Sequence, residues 1–236
     1  MRIIFFILLL FSVAANSQVG NKNLFFRDLI TTPTEGFDWD NLTPQSPTTY
    51  TSQSNLIIDG KSFTNLNCSS QSGNNLVLNS CTNVTIRNCY FGSSCGLGIA
   101  ISNSTNVTIE DCFFANNKSG VYVDGTSQDI IIQDNQCINP HGPFPRGQFV
   151  QFNGVTTSIS GQCAIRRNAV ECFLGEGYPE DIINMFSSSG RAGAPIDISE
   201  NLLRGGGPSL SGGGILLGES SGDYNRSYYN KGYNVG

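Results

Sequence analysis

Charge is scarce in this sequence: Lys, Arg, Asp and Glu make up 13% of its 236 residues, and the balance is acidic, with a formal net charge of −5. A chain so poor in cations offers little to a phosphate backbone, which excludes nucleic acid as a partner. There is one histidine, His141, and no Cys-x-x-Cys pair, so the usual zinc ligand sets are missing and no metal site is expected. The glycine-rich run GGGPSLSGGG (205–214) lacks the Lys-Ser/Thr ending of a phosphate-binding loop. Beyond the N-terminus no apolar stretch is long enough to span a bilayer. So few charged groups also leave little to stabilise exposed helices by ion pairing, and little helix is expected.

Glycine and asparagine are abundant instead, and 39% of the residues are hydrophobic, enough for a core in a turn-rich β protein. The first residues, MRIIFFILLLFSVAANSQ, carry Arg2, an apolar run from Ile3 to Val13, and the small residues Ala15 and Ser17. That pattern describes a cleaved secretory signal over 1–17, so the protein is expected to be secreted, or periplasmic or on the cell surface in a bacterium. The eight cysteines would then meet an oxidising compartment where disulfides persist. Asn-x-Ser/Thr sequons stand at Asn41, Asn67, Asn83, Asn103, Asn106, Asn117 and Asn225.

The phrase NVTIRNCYF (83–91) returns as NVTIEDCFF (106–114), 23 residues later. Self-similarity at such a period is the mark of stacked rungs, each burying its apolar face only against its neighbours. Matching segments are LIIDGKSF, VTIRNCYF, VTIEDCFF, IIIQDNQC, CAIRRNAV, IDISENLL and RSYYNKGY. Their turn column reads Lys61, Cys89, Cys112, Asn135, Asn168, Asn201 and Asn230, at spacings of 28, 23, 23, 33, 33 and 29. Alternation points Val84, Ile86, Val107 and Ile109 inward. Asparagine suits the turn because it tolerates left-handed backbone angles and its amide can bond the next copy. Strands about 4.8 Å apart also permit a Cys89–Cys112 bridge, with stacked free thiols as the equal alternative.

A second strand per rung appears in GIAIS (98–102), GVYVD (120–124), QFVQF (148–152), DIINMF (181–186) and GILLGE (214–219). The expectation is an all-β parallel β-helix of six to seven rungs over 51–236, right-handed as parallel crossovers are, truncated at its C-terminal end and preceded by a capping segment at 18–50. It resembles the pectate-lyase-like superfamily of right-handed β-helices. Facing outward on the second strands should be Ala100, Tyr122, Gln151, Asn184 and Leu216, with Gln148 stacked over Asp181.

Chemistry is expected in the two enlarged rungs, INPHGPFPRGQFVQFNG (138–154) and LGEGYPEDIINMFSSSG (174–190), because loops on a rigid solenoid collect functional groups. The segment PEDIINMFSSSG is similar to the Asp-Asp-Cys-Ile-Ala-Ile strand of the polygalacturonase family, and that resemblance implies catalytic roles for Glu180 and Asp181. The family's flanking motifs, Asn-Thr-Asp and Gly-His-Gly, read here Arg146-Gly147-Gln148 and Gly212-Gly213-Gly214, so the likeness points to the location of a site more than to its reaction. Inverting hydrolysis would need one acid and one base at this position. Arg146, Arg166, Arg167, Arg191 and Arg204 suggest a groove for acidic sugars, where a lyase uses a cation to neutralise a uronate carboxylate.

These readings make the chain a carbohydrate-facing protein acting on polysaccharide or surface glycan, as a hydrolase or lyase, or else a non-catalytic glycan-binding, adhesion or structural β-helix. The catalytic candidates are Asp181, Glu180 and Arg146, and the sugar-binding ones Gln148, Gln151, Asn184, Tyr122 and His141. No cofactor is evident, with calcium (Ca2+) left open.

Overall fold

A computed structural model describes residues 41–65, 73–142, 147–173, 176–205, 213–218, 220 and 222–233; the signal sequence lies outside them. The described residues form parallel strands stacked rung on rung. The repeated phrases make the first face, a seven-stranded sheet running from Ser54–Asp59 through Thr82–Arg87, Thr105–Glu110, Gln128–Gln133, Cys163–Arg166 and Ile196–Ser199 to Asn225–Tyr228. Seven strands here match the upper count expected from the repeat.

The second strands stack as a second face: Leu76–Asn79, the end of Tyr90–Ser102, Asn117–Asp124, Val150–Asn153, Ile183–Phe186 and Ile215–Leu216. A third face of short strands, Phe113–Ala115, Gln136–Ile138, Ala169–Glu171, Leu202–Arg204 and Lys231–Tyr233, follows each turn. Tyr90–Ser102 runs through both, which joins the second and third faces into one 14-stranded sheet. Parallel pairing begins at Thr43, which bonds beside Lys61, and Thr48–Thr51 pairs with Leu76–Asn79. Part of the segment expected to cap the solenoid is therefore its outermost rung. The sequence hides this because TPQ and TTYT lack the apolar alternation of the later strands.

The varying aromatic pair of the repeated phrase has a structural use on each side of the sheet. Inward, Phe63, Phe91 and Phe114 stack at centroid distances of 5.2 and 4.9 Å, and Phe149 closes the column edge-on at 5.6 Å. Outward, Tyr90 stacks on Phe113 at 5.8 Å.

Two buried polar ladders fix the corners. At the turn, Asn168 accepts from the backbone N–H and side-chain amide of Asn135 at 3.1 and 3.0 Å and donates to Ile132 O and Asn201 Oδ1, each at 3.0 Å. Asn201 and Asn230 repeat the arrangement. The left-handed angle, however, belongs to the preceding residue: Gly60, Asn88, Asp111, Asp134, Arg167, Glu200 and Tyr229 have φ between 50° and 63°. That bend turns the following side chain inward along the stack, where its amide reaches the next copy. A second ladder runs along the corner leading back to the first face: Ser104 Oγ accepts the Cys81 N–H, Ser127 Oγ the Ser104 N–H, and Ser188 Oγ the Val155 N–H, at 3.0 to 3.1 Å.

Cys89 and Cys112 stack as free thiols, donating to the Arg87 and Glu110 carbonyls at 3.1 and 3.2 Å, which decides between the two readings of that pair. Cys81, Cys137, Cys163 and Cys172 are also free and buried, while Cys95 is disulfide-bonded. Burial pushes Cys163 up to about 11 and Cys172 up to about 12, so neither supplies thiolate at neutral pH. All six free thiols are buried, so the native protein should react negligibly with a disulfide reagent, and unfolding in denaturant should expose them together. Rapid labelling of Cys89 or Cys112 in the native state would contradict the buried stack.

One sequon is closed by the fold. Asn117 is 2% exposed, and its amide donates to Gly92 O at 2.6 Å and Ser94 Oγ at 3.1 Å, leaving no room for a sugar.

Candidate functional site

The ten residues added in each 33-residue rung divide between two corners. Cys137 pairs with Phe114 and Val150 with Val121, so six residues are added at the corner between the third and second faces; the other four fall between Phe152 and Cys163, leading to the first face. The first of these corners holds the expected site.

Its two loops lie on one another. Tyr178 N–H donates to Pro140 O at 3.2 Å, Asn139 Oδ1 accepts the Phe173 N–H at 2.8 Å, and Asn139 Nδ2 reaches Glu176 Oε2 at 2.7 Å. Gly147, at φ 112°, is the contact point, since a Cβ there would lie 2.8 Å from both Pro179 Cα and Tyr178 O. His141 is held by its N–H to Asn117 O at 2.9 Å and by Nε2 to Ser94 O at 3.3 Å, so it braces the loop while remaining half-buried.

The register of the second face is as expected: Tyr122 pairs with Ala100 and Gln151, Gln151 with Asn184, and Asn184 with Leu216. The open groove is not. Gln151 is 9% exposed and Asn184 1%, so the two amides expected to bind sugar are buried in this structure. Alternation places a side chain outward from a strand but does not show how closely its neighbours pack around it. Tyr122 stays half-buried, its hydroxyl accepting from Asn153 Nδ2 at 2.8 Å. Asn153 was not singled out, although it stands two residues after Gln151 on the same side.

Asp181 is 3% exposed, and both its oxygens are engaged: Oδ1 accepts the Gly213 N–H at 2.9 Å and Oδ2 the Asn184 amide at 2.8 Å. This carboxylate ties its own rung to the next. Gln148, fully buried, accepts from Ser119 Oγ at 3.4 Å and donates to Glu180 Oε2 at 3.5 Å, and Ser119 Oγ also accepts the Gly147 N–H at 3.0 Å. Glu180 is half-buried and is the more accessible of the two acids. Arg146 lies outside the described residues.

The other arginines do not converge on this corner. Arg166 donates to Gln133 at 2.9 Å and Arg167 pairs with Asp134 at 2.7 Å at the edge of the first face. Arg204 meets Glu171 at 3.3 Å on the third face, and Arg191 donates to Thr157 O at 2.6 Å at the opposite corner. They are spread along the solenoid as partners of its own acceptors, so the groove for acidic sugars expected from their clustering is not assembled from these four. Among the described residues no three His, Cys, Asp or Glu side chains gather as a metal shell, and no helix is long and apolar enough to cross a membrane.

A family profile described as a right handed beta helix region matches residues 50–230. The chain belongs to this family. No curated protein and no solved structure matches it. As a right-handed β-helix protein it fits a class of carbohydrate-active and surface proteins, and the narrower polygalacturonase likeness rests on the residues of PEDIINMFSSSG alone.

Proposed function

We propose that this right-handed β-helix is an exported glycan-facing protein that holds polysaccharide against the stacked corner loops 139–142 and 176–180 without cleaving it by two-carboxylate chemistry. The observation that carries this reading is the state of Asp181. Asp181 is 3% exposed and each of its oxygens already accepts a bond from the protein, which leaves Glu180 as the one reachable acid where hydrolysis needs an acid and a base across a gap. The exposed Tyr178 ring and half-buried Glu180, His141 and Tyr122 are groups on which sugar faces and hydroxyls can be held. The disulfide at Cys95 and the N-terminal signal pattern support export.

The test is a polysaccharide panel. Retention on an immobilised glycan is expected with neither reducing-sugar release nor the ultraviolet absorbance of an unsaturated uronate, and Tyr178→Ala should weaken that retention by about tenfold, the scale of losing an aromatic anchor. Asp181→Asn should lower the melting temperature, because the new amide puts N–H against N–H at Asn184 or leaves Gly213 without an acceptor, at a cost of about 1–3 kcal/mol. Turnover by the native protein that falls about 100-fold in Asp181→Asn at unchanged melting temperature would instead make Asp181 a general acid or base and overturn the proposal.

A further inference from the structure

The four residues added at the opposite corner, where the second face returns to the first, build a feature that the proposed function does not use. The loop 154–162 leans back over the preceding rung and encloses an open cleft of about 440 Å³ against the first face. Ile131 forms its floor, Asn106 and Asp129 one wall, and Ser158, Ser160 and Gln162 the other. The loop is latched at Asp129, whose Oδ1 accepts the Ser158 N–H at 2.9 Å. Gly161 passes so close to that carboxylate that any Cβ there would overlap it, at 1.8 Å from Oδ1. Ile159, between the lining residues Ser158 and Ser160, is 87% exposed.

The wall is chemically unusual. Along this edge of the first face runs an exposed relay in which Asn83 Nδ2 donates to Asn55 Oδ1 at 3.1 Å and Asn106 Nδ2 to Asn83 Oδ1 at 2.8 Å. The next rung places Asp129 in the column, at the same left-handed angle, φ 57° against 55° at Asn106. A carboxylate has no N–H to pass on, so the relay stops, and Asn106 Oδ1 and Asp129 Oδ2 stand in adjacent rungs as acceptors awaiting donors from elsewhere. Hydroxyl groups complement such a pair, and the Ser158, Ser160 and Gln162 side chains opposite can both give and accept.

We infer that this cleft is a binding site for a neutral saccharide unit, its ring lying on Ile131 with hydroxyls donating to Asp129 and Asn106. An apolar floor under a polar wall suits a sugar, which has an apolar C–H face and a polar edge. The single carboxylate with no cation among the lining groups disfavours uronates and other anions. The site is separated from the corner loops around Glu180 by the second face and does not depend on what binds there.

The experiment is amide NMR of the full chain titrated with neutral oligosaccharides of glucose, xylose, mannose and galactose. Saturable shifts at Asp129, Ser158, Gly161 and Gln162 are expected at concentrations below about 10 mM. Asp129→Asn keeps the Oδ1 latch on Ser158 and should weaken binding about tenfold, the scale of losing a hydrogen bond to a charged group. Ile131→Thr, which copies Thr108 of the preceding rung, should also weaken it while the melting temperature stays near that of the native protein. Shifts confined to Tyr178 and Glu180 would overturn the inference while leaving the proposed function standing. So would shifts produced by calcium alone, or only by uronate oligomers, or none with any neutral sugar.

Discussion

Asn168→Leu is expected to destabilise the protein by about 3–5 kcal/mol, enough to unfold a large share of molecules near physiological temperature. Leucine matches asparagine in size but removes four hydrogen bonds. It strands the Asn135 backbone N–H, while the Asn135 amide keeps only Ile109 O and the Asn201 oxygen only the Asn168 backbone N–H, all in a turn with no solvent access. Because the ladder passes through three rungs, the loss should appear as greater hydrogen exchange over 130–137 and 196–203, with the rungs before Thr105 less affected. Equilibrium urea unfolding measures the total. A cost below about 1 kcal/mol would mean that water reaches the turn and that the ladder contributes little.

Phe114→Ala should cost about as much, roughly 3–5 kcal/mol, by a different mechanism. The ring is fully buried between Phe91 and Phe149, and the approach of Gly98, whose Cβ would sit 2.8 Å from Phe114 Cδ1, shows that the neighbouring strand is packed onto it. Alanine leaves a cavity that the backbone ladders on all three faces prevent from collapsing. Phe114→Leu should recover more than half of the loss, since it restores most of the volume without the stacking. If both variants cost the same small amount, the column is loosely packed and the aromatic contacts are incidental.

The two substitutions also mark what could be read in advance. Asn168 was legible because the same residue type recurs at the turn with a fixed offset from an apolar-x-apolar strand, and only a stacked amide explains that recurrence. Phe114 was legible as an inward residue by alternation. The serine ladder was hidden because Ser104 and Ser127, although one 23-residue period apart, give way to Val155 in the next rung before Ser188, and they stand among other small polar residues that look like ordinary loop composition. Burial of Gln151 and Asn184 was hidden for a different reason: alternation gives the side of the strand on which a residue lies and not how closely its neighbours pack around it. The arginines misled because residues close along the chain can occupy three different faces of a solenoid.

Period, alternation and turn chemistry are local properties, and in a β-helix each rung repeats the same local solution, so the sequence alone determined the parallel stack, its inward residues and the register of the second face down to Tyr122, Gln151 and Asn184. Tertiary structure decided where the ten added residues go, which carboxylate is satisfied and which is reachable, and that Asp129 faces a cleft. These depend on how loops from different rungs lie against one another, through contacts such as Gly147 on Pro179 and Gly161 on Asp129. Such contacts join positions roughly 30 residues apart in the chain, and no pattern within a single rung encodes them.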